Sequence, residues 1–96
     1  MGGFLKESFR CAHKYLSALL SNRDAQGRIA PITEEELARR AGLSRKTTEG
    51  LTKDFVRAGL VDVSYESNLR SRVKMIIPKD QELLERLAPL FRREER

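Results

Sequence analysis

The chain has one cysteine, one histidine and no tryptophan. With Cys11 alone no internal disulfide can form, and no cysteine-based zinc spacing exists. With His13 alone, the usual zinc constellations and any Ser–His or Cys–His nucleophile pair drop out. Cys11 and His13 are two residues apart on an expected helix, so they point in different directions and read as packing or surface residues. No apolar run approaches the roughly 18 residues of a membrane span, so no membrane partner is expected. Met1 to Leu5 contain no apolar stretch of signal-peptide length, and Lys6 stands where a myristoylation motif needs Ser or Thr. These absences point to a cytoplasmic protein without metal, cofactor or enzymatic activity.

What is present fits one small domain spanning 1–96. Ninety-six residues are too few for two independent cores, and 40% hydrophobic content suits a folded chain. The net charge is +5, and its placement is more telling than its size. From Arg39 to Lys74 there are nine Lys or Arg against four acids, while the rest of the chain balances ten against ten. The whole surplus therefore falls in one internal stretch, the electrostatic footprint of a polyanion binder.

Apolar residues at Leu5, Phe9, Ala12, Leu16, Leu19 and Leu20 recur in steps of three and four, which predicts a helix over 4–20. Ser21 to Gly27 are rich in turn formers. Pro31 keeps the preceding residue extended, and a short strand is expected at 28–30. Thr33-Glu34-Glu35-Glu36 is a capping box: the Thr33 hydroxyl accepts from the Glu36 amide and the Glu36 carboxylate reaches back. The helix it opens, with Leu37, Ala38 and Ala41 inward, ends at Gly42. Ser44 caps the next helix, whose buried face is expected to carry Thr48, Leu51, Phe55, Val56 and Ala58 before Gly59 closes it. Two capped helices joined by Gly42-Leu43-Ser44 make a helix-turn-helix over 33–58.

Beyond Gly59 the period falls to two. Val61, Val63 and Tyr65 form one strand, Glu66 to Arg70 a turn, and Ser71 to Ile77 the return strand, a hairpin over 61–77. A last helix is expected over 80–92, capped by Asp80, with Leu83, Leu84, Leu87, Leu90 and Phe91 apolar. Pro89 should kink or shorten it. The order is α-β-α-α-β-β-α, mostly α with a small β-hairpin.

The run Ile32 to Thr48, with its Leu37-Ala38 pair and Gly42-Leu43-Ser44 turn, resembles the winged helix-turn-helix superfamily of MarR- and GntR-type regulators. The likeness continues through Leu51, Phe55 and Ala58-Gly59-Leu60-Val61 and covers residues 29–77. Thr48 stands where the family usually has a β-branched aliphatic, and Gly50 costs about 1 kcal/mol relative to Ala inside a helix. Tyr15 to Leu20, followed by Gly27-Arg28, is also similar to the winged helix of plasmid and phage replication initiators.

The resemblance implies a sequence-specific partner, double-stranded DNA, and regulation of transcription, in the first place repression. Replication initiation or partition, and a winged helix that serves only as a protein-interaction module, are the alternatives. With Thr48, Leu51 and Phe55 inward, helical geometry turns Arg45, Lys46, Glu49 and Lys53 outward. Arg45 and Lys46 are expected to contact bases, with Thr47 and Glu49 as secondary readers. Ser44, Thr52 and Lys53 suit phosphate contacts, and Arg70, Arg72 and Lys74 share one face of the wing. Arg39 and Arg40 fit phosphate contact and solvated surface equally well. The apolar faces of the outer helices, Leu5, Phe9, Leu16 and Leu19 with Leu84, Leu87 and Phe91, suggest either a homodimer or a return onto their own domain.

Overall fold

The computed structural model describes residues 9–67 and 72–94, the last three as backbone. The elements run α1 (Phe9–Ser21), β1 (Ile32–Thr33), α2 (Glu34–Ala41), α3 (Arg45–Arg57), β2 (Val61–Ser67), β3 (Arg72–Pro78) and α4 (Gln81–Glu94). The strands form an antiparallel sheet in the order β1-β3-β2. This is the architecture of a winged helix-turn-helix. No helix among the described residues is long and apolar enough to cross a membrane.

The helix ends follow their local chemistry. Thr33 accepts from the Glu36 amide at 3.0 Å, and Ser44 accepts from the Thr47 amide at 3.1 Å. At the exit of α2 the Gly42 amide bonds Arg39 O and the Leu43 amide bonds Ala38 O, with Gly42 left-handed at φ 69°. The exit of α3 repeats this pairing, Gly59 to Val56 O and Leu60 to Phe55 O, with Gly59 at φ 78°. Such a double bond satisfies carbonyls that the helix leaves open, and only glycine takes the left-handed step without penalty. Asp80 caps α4 by accepting from the Leu83 amide at 3.1 Å.

The core lies between α1, α2, α3, α4 and the base of the sheet. Leu16, Leu19, Leu37, Leu51, Phe55, Val61, Ile76 and Leu84 are fully buried. Phe55 meets Tyr15 in a tilted contact with centroids 4.6 Å apart and meets Phe91 at 6.4 Å, and Phe91 in turn meets Phe9 at 5.7 Å. These tilted and edge contacts fill the space where α1, α3 and α4 converge.

Four expectations need correction. The strand expected at 28–30 stands instead at Ile32–Thr33, where Ile32 and Thr33 pair with Ile76 and Met75; Ile29 makes only an isolated bridge to Arg23. The Glu36 carboxylate does not reach back to its cap but turns forward to Arg39 and Arg40. Val56 and Ala58 are exposed, because the buried row of α3 runs through Thr48, Leu51, Thr52 and Phe55. Leu83 and Leu90 are exposed on α4, and the helix continues past Pro89 to Glu94. Of the two alternatives for the outer helices, the return onto their own domain is what the structure shows: Leu16, Leu19, Leu84 and Phe91 are buried together in one chain. The helix start expected at residue 4, with Leu5, lies outside the described residues.

Candidate nucleic-acid interface

The first turn of α3 is fastened on both sides. Ser44 receives the Thr47 amide and donates its hydroxyl to Thr47 Oγ1 at 3.0 Å, while Thr48 donates to Ser44 O at 2.8 Å. Thr48 is therefore buried with its polar group satisfied, which explains a threonine where an aliphatic residue is usual. Below it Leu51 and Phe55 anchor the helix, and the opposite side faces solvent. Lys46 and Lys53 are exposed and have no ion pair among the described residues. The Arg45 side chain is 91% exposed and lies 3.7 Å from Glu49, half-exposed one turn on. A surface pair of this kind contributes about 0–1 kcal/mol, so a base or phosphate can displace it.

Thr52 is a correction. It is 1% exposed, and its hydroxyl is bonded to the Tyr15 hydroxyl at 2.9 Å inside the core, out of reach of any phosphate. Burial pushes the Tyr15 phenol far above its ordinary pKa, and the Thr52 bond opposes that shift only in part. Ser44 is exposed, yet its hydroxyl is committed to the cap.

The hairpin places its cations by register. Val63 faces Ile76, Tyr65 faces Lys74, and Ser67 faces Arg72. Residues opposite one another share a sheet face, as do residues two apart. The face that buries Ile76 at the base thus continues outward as Tyr65, Lys74 and Arg72. There the hairpin overhangs α2 and α3, and a cleft of about 650 Å³ opens. Arg45 and Glu49 line one wall, Tyr65 and Arg72 the other, with Thr33, Glu34 and Lys74 between. The Arg72 guanidinium lies over the Tyr65 ring, 4.2 Å from its centroid. Lys74 Nζ is 3.2 Å from Glu34 Oε2; this is a contact of charges, since that oxygen accepts no aligned hydrogen bond. Arg70 lies outside the described residues.

The arginines of α2 are engaged elsewhere. Glu36 accepts from both Arg39 and Arg40, the latter at 2.8 Å, and Arg40 also donates to Asn22 Oδ1 at 3.1 Å. The bonds from Arg39, then Arg40, draw the Glu36 carboxyl down to about 2. Tyr65, Glu34 and the forward turn of Glu36 were not among the residues the sequence pointed to. An aromatic residue in an alternating strand signals only a strand, and three consecutive acids signal only a helix start.

The arrangement offers a cationic helix beside a hairpin that carries the exposed Arg72, with the paired charges of Lys74 and Glu34 between them. No curated protein and no solved structure matches the chain. The model of the Crp-like helix-turn-helix domain matches residues 10–87. That match spans α1 through most of α4, and the chain belongs to this family of winged helix-turn-helix domains, whose common work is to bind DNA in gene regulation.

Proposed function

We propose that the chain reads a specific sequence in double-stranded DNA and regulates transcription by occupying that site. The observation that carries this is the two-sidedness of α3: Thr48, Leu51, Thr52 and Phe55 hold it down while Arg45, Lys46 and Lys53 stand in solvent on its far side. A helix of this width fits the major groove, with its N-terminal residues nearest the base edges. Arg45 and Lys46 then contact bases, most simply guanine, with Thr47 and Glu49 beside them. Lys53 and Arg72 contact phosphates, and the capped amides above Ser44 add the positive end of the helix dipole. A location at the nucleoid follows from this reading.

Two copies on a two-fold site is the corresponding proposal for assembly. Among the described residues, Phe9, Leu83 and Leu90 are the larger apolar side chains of the outer helices left exposed to meet a partner. Sedimentation showing an 11.0 kDa species in free solution and one copy per duplex on DNA would remove it.

The experiment that tests the main reading is a salt titration of duplex binding by fluorescence anisotropy. Among the described residues Lys53 and Arg72 are the cations assigned to phosphates, so log K should fall against log salt with a slope of roughly −2 or steeper. A flat salt dependence would exclude the reading. Selection of bound sites from random duplexes should then yield a consensus, and failure to enrich any sequence would reduce the protein to a non-specific binder.

A further inference from the structure

The two described cations of the wing stand on the same face of one strand, two residues apart, yet their surroundings differ. Lys74 sits low in the cleft with its side chain 24% exposed, held against the Glu34 carboxylate. Glu34 is itself buried, at the first position of α2, so the pair ties the hairpin to the helix-turn-helix rather than presenting charge outward. Arg72 is farther out and exposed, and its guanidinium rests on the ring of Tyr65.

The contact between Tyr65 and Arg72 is diagonal. Tyr65 stands directly opposite Lys74, and Arg72 is the next residue outward on that face. A flexible arginine at the end of a hairpin ordinarily samples many rotamers, and each contact it makes must offset that freedom. A planar guanidinium laid on an aromatic face loses much of this freedom beforehand and keeps its edge donors free. Tyr65 is an exposed aromatic residue, 51% accessible, on a solvated strand. Core packing does not explain it there, whereas holding Arg72 does.

We propose that Tyr65 is a positioning residue of the wing, holding the Arg72 guanidinium ready for a DNA phosphate, while Lys74 is a structural clasp to Glu34 and takes no phosphate. The proposal rests on the duplex-binding reading and sharpens it. Of two lysine and arginine side chains that look equivalent along the strand, one makes the contact and one does not.

The test uses the full chain and a mixed-sequence duplex of about two helical turns. Affinity is measured across a salt series for the parent, Arg72→Ala, Lys74→Ala, Tyr65→Phe, Tyr65→Leu and the Tyr65→Leu/Arg72→Ala double variant. Circular dichroism checks that each is folded. Arg72→Ala should bind roughly tenfold more weakly, and its salt slope should shrink by about 1. Tyr65→Leu keeps an apolar side chain but no π face, and should lose about 2- to 5-fold; Tyr65→Phe should bind like the parent. The double variant should bind no more weakly than Arg72→Ala, because Tyr65 acts only through that arginine. Lys74→Ala should leave the slope unchanged. Tyr65→Leu equal to the parent, a double variant in which the losses add, or a shallower slope for Lys74→Ala would each overturn the proposal. A parent protein with no salt-dependent binding to any duplex would instead remove the DNA reading itself.

Discussion

Helices α2 and α3 are built alike and charged differently. Each begins with a hydroxyl cap, each buries a leucine fully, and each leaves through a left-handed glycine with paired amide bonds. Each also turns basic side chains outward. On α2, however, both arginines converge on Glu36, and Arg40 reaches Asn22 as well. On α3, Lys46 and Lys53 are unpaired among the described residues, and Arg45 has only a long contact to Glu49. A count of charges already favours α3, which has four basic residues against two acids where α2 has two against three. Pairing widens the gap: of the four only Arg57 is closely paired, to Asp54, whereas one acid placed three and four residues before two arginines engages both on α2.

The largest effect should show what the helices have in common. Leu37 and Leu51 are both fully buried, so Leu37→Ala and Leu51→Ala should each cost about 2–5 kcal/mol of stability by denaturant unfolding. A loss confined to one helix would mean that they do not share the core. Their difference should appear in binding. Arg45→Ala should lose about 1–3 kcal/mol on a selected site and relax discrimination there. Arg39→Ala should fall within about 0.5 kcal/mol of the parent, and an equal loss at both positions would erase the contrast.

The contrast can also be abolished deliberately. Glu36→Gln releases Arg39 and Arg40, and should steepen the salt slope of duplex binding by up to about 1–2. The smallest effect is the titration of that acid. Its carboxyl is held at about 2 against an ordinary 4.5, so its contribution is complete above pH 4.5 and is lost as pH falls toward 2. Carboxyl NMR should find its midpoint near the lower value; a midpoint near 4.5 would mean that the arginines are free.

Much of this was legible in the sequence because the signals are local. Thr33, Ser44, Gly42 and Gly59 act within a few residues of themselves, and Leu51 and Phe55 repeat at helical spacing, so the helix-turn-helix could be read directly. What escaped was decided at a distance. The first strand exists because Ile32 and Thr33 find Ile76 and Met75 across the sheet, and nothing near residue 32 announces that. Thr52 carries both a methyl and a hydroxyl, so its pattern suits water or core equally. Tyr15, 37 residues away, settled it for the core. The roles of Lys74 and Arg72 depended on Glu34 and Tyr65, partners that strand alternation cannot supply.

The amide pairing at the end of α3 governs how the protein would meet a duplex. Leu60 donates to Phe55 O and its own carbonyl receives the Lys79 amide, so a single buried residue joins α3 to both strands of the hairpin. Helix and wing are then fixed relative to each other before any encounter, and the ordering cost falls on folding, not on association. If α3 and the hairpin meet a duplex together, much of the fitting would fall to the DNA, so base pairs that no side chain touches would affect affinity through the ease with which they bend.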